Sequence, residues 1–155
     1  MDPAVGFRSI LFATDYSDVS QLAIETAAVL ARSTGAMLYI VHVHEWAEQP
    51  PAPGETEPPP PPAEEMARLR AVVPAGDDVK LEHRLLHFRP PGAADVLVEF
   101  ARQSGVDMIV VGMHGRSGLR RLLLGSVAEA VVRAATCPVL VVPGRQEEEQ
   151  PAEEA

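Results

Sequence analysis

The chain has 155 residues, the length of one domain with one hydrophobic core, and its apolar fraction of 46% is ordinary for a globular protein. Its formal net charge is −9, but the last ten residues hold five glutamates and no basic residue, so residues 1–145 carry only −4. Neither a basic face for nucleic acid nor a polybasic patch for a membrane is present, and the composition argues against both partners.

The cysteine count and the hydropathy pattern indicate the compartment. Cys137 is the only cysteine, which excludes an intrachain disulfide and suits a reducing environment. The first residues lack the basic-then-apolar pattern of a secretory signal. No apolar run approaches the roughly 18 residues that span a bilayer. We therefore expect a cytoplasmic protein without a membrane partner.

The first third of the chain predicts a strand, a helix and a second strand. Phe7–Thr14 is a short apolar run typical of a buried strand. Ser17 or Asp18 can cap the helix that follows, and Gly35 is placed to end it. Ala36–Val43 is almost continuously apolar, as expected for a strand that is covered on both faces.

A proline-rich segment at 48–62 interrupts this pattern. Proline fixes φ and removes a backbone donor, so we expect a solvated, disordered loop within a domain of residues 1–145. An alternative is that the segment presents a PxxP ligand to an aromatic groove. Residues 146–155 form an acidic tail that we also expect to be disordered.

The remaining chain resumes the alternation of helices and strands. The predicted elements are a short helix at 63–73, a strand at Val79–His87 that alternates as an edge strand would, a helix ended by Gly105, a strand at Val106–Gly112, a helix opened by Gly125 and Ser126, and a last strand at Cys137–Pro143.

This alternation predicts an α/β fold with an open five-stranded parallel sheet and helices on both faces. Two strand orders are common for such sheets, 2-1-3-4-5 and 3-2-1-4-5. Ligands bind beyond the carboxyl ends of the strands, where the order reverses. Order 3-2-1-4-5 makes the polar end of strand 1, at Thr14 and Asp15, a neighbour of the end of strand 4, at Gly112. We adopt that order as a hypothesis.

The loop after strand 4 has the composition of a phosphate site. Gly112 follows directly on the strand, and Gly115 and Gly118 allow positive φ and the close approach of backbone N–H groups to an anion. Gly125 and Ser126 then open a helix, whose N-terminus favours negative charge and which Ser126 can cap. Arginines in the same loop can add bidentate contacts, among them Arg116, Arg120 and Arg121. The alternative is a long glycine-rich turn with surface arginines.

Other polar residues allow two interpretations each. Asp15 can accept hydrogen bonds from ribose hydroxyls or hold a divalent cation, or it can cap the first helix. His114 can be a phosphate donor or general acid, or an exposed loop histidine. His42 and His44 share one face of strand 2, but no third metal ligand accompanies them, so we interpret them as structural. The sequence contains neither GxxxxGK[ST] nor a GxGxxG after the first strand, which excludes both of those nucleotide fingerprints.

Taken together, three motifs identify a resemblance to the universal stress protein family. The stretch GMHGRSGLRRLLLGS fits Gly-x-x-Gly, nine residues, then Gly-Ser, and ILFATDYSDVS and IVHV occur in the first and second strands. The chain resembles the ATP-binding branch of that family from about Phe7 to Pro143. The resemblance implies a Rossmann-like sheet of order 3-2-1-4-5, bound ATP or another adenine nucleotide, and Mg²⁺ or Mn²⁺ as an accompanying ion.

The resemblance also implies roles for individual residues. Asp15, next to Thr14, would meet the ribose or adenine, and the backbone of Val43 would neighbour the adenine. The ribose and phosphates would be lined by Gly112, Gly115, Gly125 and Ser126, with Met113, His114, Arg116, Ser117 and Val127 in the same binding segment. Homodimers of the family imply pairing through the last strand, from Pro138 to Val142.

We therefore expect an ATP-binding stress-response protein that acts as a nucleotide-dependent sensor or regulator. Hydrolysis is expected to be slow or absent, because the sequence shows no general base or Walker-type metal site. One alternative is an adenylyl-transfer enzyme that uses the same crevice. Another is an interaction protein with an unused nucleotide site, whose proline-rich loop and tail are the working parts.

If residues 48–62 are dispensable for folding, deleting them will leave the melting temperature almost unchanged, because the segment would contribute no packed core. Thermal denaturation of the deletion variant beside the full chain measures this. A loss of several degrees would contradict the prediction.

Overall fold

The computed structural model describes residues 6–45, 53–54, 63–88, 92–114 and 124–144. Almost all of the predicted loop at 48–62, the acidic tail, and Gly115, Arg116 and Ser117 lie outside the described residues. The elements are β1 Ser9–Ala13, α1 Asp18–Thr34, β2 Met37–Glu45, α2 Ala63–Arg70, β3 Leu81–Phe88, α3 Ala93–Gln103, β4 Met108–Gly112, α4 Ser126–Ala134 and β5 Val139–Val142.

The five strands form one parallel sheet of order β3-β2-β1-β4-β5. This confirms the predicted α/β class and the predicted order, including the edge position of β3. Strand β1 lies in the middle of the sheet, where Leu11 pairs with Tyr39 of β2 on one side and with Ile109 of β4 on the other. The carboxyl ends of β1 and β4 are consequently neighbours.

Each face of the sheet is covered by two helices. Alternate residues of β1 point to opposite faces, so that Ile10 and Phe12 pack in one core cluster and Leu11 in the other. Helices α1 and α2 contribute to the first cluster, and helices α3 and α4 contribute to the second. Three of these β1 side chains, Ile10, Leu11 and Phe12, are fully buried, as the apolar run in the sequence predicts.

Helix α1 begins and ends where the sequence predicts. Ser17 is the N-cap, and its hydroxyl accepts a hydrogen bond from the Ser20 amide at 3.4 Å. Gly35 follows the helix in the left-handed conformation, with φ of 70°. The buried side of the helix consists mostly of alanines, which lets it approach the sheet closely. A Cβ atom on Gly112 would lie 3.0 Å from Cγ1 of Val19, so the glycine at the end of β4 accommodates this helix.

Most elements differ from their predicted bounds by a few residues, and long-range contacts explain two of these differences. Strand β2 continues to Glu45 because β3 runs beside it as far as Phe88. Helix α2 ends at Arg70, whereas the apolar pattern predicts a helix to residue 73. The chain turns there, and the carbonyl of Val72 accepts a hydrogen bond from Nε2 of His83 on β3 at 2.8 Å.

None of the helices in the described ranges is long and apolar enough to cross a membrane.

Leu69 is the fully buried residue of α2, and it attaches this helix to the core. We expect Leu69→Ala to lower the free energy of unfolding by about 2–5 kcal/mol, because it removes buried methyl groups and leaves a cavity. Chemical denaturation measures this. Val73→Ala is the control, since Val73 is 49% exposed and its truncation should change stability by no more than about 0.5 kcal/mol.

Candidate functional site

A crevice of about 560 Å³ opens beyond the carboxyl ends of β1, β2 and β4. It lies where the connections from β1 and β4 diverge, since α1 covers one face of the sheet and α4 the other. Its volume falls within the range of small-molecule sites. Its walls come from the ends of the strands, the first turn of α4, and the facing sides of α2 and α3.

Thr14 lines the crevice, is only 5% exposed, and forms hydrogen bonds to β2 and to α1. Its amide donates to the carbonyl of Val41 at 2.9 Å, which extends the pairing of β1 with β2. Its hydroxyl oxygen accepts hydrogen bonds from the Ser20 hydroxyl at 2.6 Å and from the Tyr16 amide at 3.0 Å. The side chain of Thr14 therefore stabilises the turn into α1.

Asp15 shapes the same turn. Its Oδ1 accepts a hydrogen bond from the Ser17 amide at 3.0 Å, and Ser17 in turn caps α1. The alternative that Asp15 caps α1 is therefore wrong, because Ser17 occupies the N-cap position. Asp15 nevertheless lines the crevice.

His42 connects three parts of the crevice wall. Its Nδ1 lies 2.7 Å from the carbonyl oxygen of Thr14, and since a carbonyl only accepts, Nδ1 carries a hydrogen. Its Nε2 lies 3.3 Å from Oε1 of Glu65 on α2. The ring also contacts the ring of Tyr16, with centroids 4.4 Å apart. These contacts support the structural interpretation of His42, with Glu65 as a partner.

The glycine-rich loop is closed at its base by two backbone hydrogen bonds. The Gly125 amide donates to the carbonyl of Met113 at 2.7 Å, and the Met113 amide donates to the carbonyl of Val142 at 2.8 Å. Gly125 is the N-cap of α4, with φ of −65° and no side-chain capping bond. The prediction that Ser126 caps α4 is wrong, because the helix begins with Ser126 itself.

The first turn of α4 supplies the groups best suited to an anion. The amides of Ser126, Val127 and Ala128 have no acceptor within the helix, because such acceptors would precede its N-terminus. All three residues line the crevice. Their N–H groups and the positive end of the helix dipole favour negative charge at this wall.

The comparison with known sequences decides the family. The sequence model described as "Universal stress protein family" matches residues 6–143. This chain belongs to the universal stress protein family. The universal stress protein MJ0531 of Methanocaldococcus jannaschii is 37% identical over 142 residues, which cover 88% of this chain and 82% of that protein. The universal stress protein A homolog 1 of Coxiella burnetii is also 37% identical over 142 residues, with 88% and 96% covered.

Solved structures of the family resemble this universal stress protein in fold. One is a universal stress protein in complex with cAMP, with a TM-score of 0.61 and 29% identity, covering 88% of this chain and 97% of that one. Another is the universal stress protein from Archaeoglobus fulgidus in complex with dAMP, with a TM-score of 0.57 and 26% identity, covering 88% and 98%. Both ligands are adenine nucleotides.

Most of the sequence-predicted site residues of this universal stress protein come together at the crevice. Those that line it are Thr14, Asp15, Val43, Gly112, His114, Gly125, Ser126 and Val127. Met113 is not among the lining residues, and its backbone groups close the loop instead. Gly115, Arg116 and Ser117 lie outside the described residues. Contact of any of these residues with a nucleotide remains a prediction.

The sequence reasoning missed the contributions of α2 and α3. Glu65 and Arg68 of α2 line the crevice, as do Ala93 and Leu97 of α3. The spacings i, i+3 and i, i+4 place each pair on one side of its helix. That signal was present in the sequence, but it does not reveal which element the side faces. Within the described ranges, no group of three or more His, Cys, Asp or Glu side chains is arranged to hold a metal ion.

Thr14→Val should lower the free energy of unfolding by about 1–3 kcal/mol, because it removes the acceptor of the buried Ser20 hydroxyl and of the Tyr16 amide. Thr14→Ser keeps the hydroxyl and should retain most of the stability. Denaturant unfolding of the two variants measures the difference. Equal losses in both would contradict the prediction, because the methyl group that serine lacks would then contribute as much to stability as the hydroxyl that valine lacks.

Proposed function

We propose that this universal stress protein binds an adenine nucleotide in the crevice at the ends of β1 and β4. We expect that nucleotide to be ATP. The observation that carries the proposal is that the first turn of α4, which suits an anion, and Asp15 line the same crevice. The cAMP and dAMP complexes of related universal stress proteins support the choice of an adenine nucleotide.

The crevice suggests an orientation for the ligand. The phosphates would lie at the amides of Ser126, Val127 and Ala128, where the helix dipole stabilises their charge. Asp15 would accept hydrogen bonds from the ribose hydroxyls. The apolar side chains of Val43 and Leu97 line another part of the wall and suit the face of a base.

A divalent cation, Mg²⁺ or Mn²⁺, is compatible with this arrangement when it arrives with the phosphates. Magnesium is commonly held by one or two carboxylates together with phosphate oxygens and water, and it does not need a site built by protein alone. Asp15 is a carboxylate on the crevice wall and is our candidate to contact such an ion. The ion would neutralise phosphate charge and orient the phosphate chain.

We infer that the protein acts as a nucleotide-dependent sensor or regulator in the cytoplasm, with slow or no hydrolysis of ATP. The contacts of His42 support a binding role, because this potential proton acceptor is held against the Thr14 carbonyl and Glu65. A histidine in those contacts orients the strand ends and is poorly placed to activate a water molecule.

We also propose a homodimer through Pro138 to Val142. Strand β5 is at the end of the sheet and pairs with β4 on one side. Its residues Val139, Leu140 and Val141 are only partly buried. Pairing with the same strand of a second copy would cover this apolar edge.

The direct test of function is the identity of any nucleotide released from the purified protein, determined by mass spectrometry, followed by calorimetry with ATP, AMP and adenosine. We expect ATP to bind with Mg²⁺ or Mn²⁺ present and to turn over slowly or not at all. Binding of no adenine nucleotide would contradict the proposal. Rapid formation of an adenylylated product would favour the adenylyl-transfer alternative.

Ser126→Ala should weaken ATP more than adenosine, by about 0.5–1.5 kcal/mol of binding free energy, if its hydroxyl donates to a phosphate. Because Ser126 is not the N-cap, its substitution should change the melting temperature little. Calorimetry with both ligands measures the difference. Equal losses for ATP and adenosine would mean that Ser126 only shapes the helix.

Gly125→Val should reduce ATP affinity tenfold or more, about 1.4 kcal/mol, by placing a branched side chain beside the phosphates. The φ of −65° at Gly125 is accessible to valine, so we expect no backbone strain from the change. Gly125→Ala is the smaller matched variant and should lose less affinity. Unchanged ATP affinity in Gly125→Val would place the phosphates elsewhere.

A further inference from the structure

Helix α2 approaches the crevice with two charged side chains, although its attachment to the protein is apolar. Leu69 is buried in the core cluster beneath α1 and α2, and Met66 packs partly against the same cluster. Glu65 and Arg68 line the crevice instead. The helix is therefore held in place by one set of side chains and contacts the turn after β1 with another.

Glu65 acts on this turn through His42. The carboxylate lies 3.3 Å from Nε2 of His42, and the other ring nitrogen donates to the Thr14 carbonyl at 2.7 Å. The side chains of Glu65 and His42 are only 19% and 13% exposed, so water screens this contact less than it screens a surface pair. His44 also faces the same carboxylate, with Nδ1 at 4.0 Å. Glu65 is thus linked to the residue immediately before Asp15.

Arg68 contacts the same turn through the ring of Tyr16. Its guanidinium carbon lies 4.0 Å from the centroid of the Tyr16 ring, which is the geometry of a cation–π interaction. The Tyr16 ring in turn lies 4.4 Å from the ring of His42. Arg68, Tyr16, His42 and Glu65 therefore form a continuous set of contacts that begins and ends on α2.

The turn that these contacts surround has an uncommon backbone conformation. Tyr16 has φ of 67°, in the left-handed region that side chains other than glycine rarely adopt. Such conformations persist when the surrounding structure holds them, and they often occur at ligand sites. The conformation at Tyr16 sets the direction of the chain directly after Asp15, and the Ser17 amide bonds to Asp15 Oδ1 across it.

We propose that Glu65 and Arg68 are positioning residues that hold the turn of residues 14–17 in the shape that presents Asp15 to a ligand. Affinity for the nucleotide then depends on a helix that acts through Tyr16 and His42, without requiring contact between α2 and the ligand. This inference rests on the proposed nucleotide binding for its consequence. The positioning itself can be measured without any nucleotide.

Amide hydrogen exchange tests the positioning. The Tyr16 amide donates to Thr14 Oγ1 and the Ser17 amide donates to Asp15 Oδ1, so both report on the turn. In the double variant Glu65→Ala/Arg68→Ala, we expect both amides to exchange about tenfold faster. The Thr14 amide, bonded to the Val41 carbonyl in the sheet, should be unchanged.

The matched control is Glu64→Ala/Arg70→Ala, which makes the same charge changes on the same helix at two exposed residues outside the crevice. This control should leave the exchange of the two turn amides unchanged. Equal acceleration in the control and in the Glu65/Arg68 variant would overturn the proposal, because it would show only a general loosening of α2. Unchanged exchange in the Glu65/Arg68 variant would overturn it as well.

Binding of ATP and adenosine tests the consequence. A positioning role predicts that Glu65→Ala/Arg68→Ala loses about tenfold affinity for both ligands. A direct contact of Arg68 with phosphate predicts a loss for ATP alone, and that result would overturn the positioning role of Arg68. Arg68→Lys keeps a cation for the Tyr16 ring and should recover part of the affinity.

Substitutions of Tyr16 provide a second test of the same contacts. Tyr16→Phe keeps the ring and should retain more affinity for ATP than Tyr16→Leu, which should lose affinity as Arg68→Ala does. Because both changes interrupt the same contact, Tyr16→Leu/Arg68→Ala should bind no more weakly than Tyr16→Leu alone. Additive losses would overturn the proposal. Failure of the parent chain to bind any adenine nucleotide would overturn the proposed function, and the exchange rates would still decide the positioning.

Discussion

The pairing of β1 with β4 holds the carboxyl ends of these two strands side by side. Strand β1 continues through α1 on one face of the sheet, and β4 continues through α4 on the other. Because the two connections leave in opposite directions, a gap opens between the turn at Asp15 and the loop after Gly112. Every candidate site residue in the described part of the chain lies at or near that gap. The fully buried Leu11 of β1 and its partner Ile109 of β4 hold the two strand ends side by side.

Hydrogen bonds among Thr14, Ser20 and His42 fix the geometry of one wall of this gap. Thr14 bonds through its amide, its carbonyl and its hydroxyl, and so joins β1 to β2, to His42 and to α1. Buried polar groups are costly unless they are paired, so each of these bonds also specifies the geometry of the turn. His42 extends the network to Glu65 of α2. The crevice wall is therefore built from segments far apart in sequence. We expect a substitution in one segment to alter the geometry of the others.

The glycines of this region have structural as well as predicted binding roles. The family resemblance implies that Gly112 and Gly125 line the ribose and phosphates. In the structure Gly112 also makes room for Val19 of α1, and the Gly125 amide closes the loop on Met113. The amides that remain suited to an anion belong to the first turn of α4, one to three residues later. The pattern thus indicates residues that line the crevice, while packing and loop closure account for part of the glycine content.

Features that depend on residues close together in the chain could be predicted from the sequence. The order of helices and strands follows from apolar periodicity, and the ends of α1 follow from the cap at Ser17 and the left-handed residue Gly35. Periodicity leaves two strand orders open, because strand pairing joins residues distant in the chain. The position of the polar strand ends favours order 3-2-1-4-5, and the family resemblance implies the same order. The position of α2 beside the crevice depends on tertiary contacts that the sequence does not reveal. The spacing of Glu65 and Arg68 defines a side of a helix, but only the burial of Leu69 against the sheet turns that side towards the crevice.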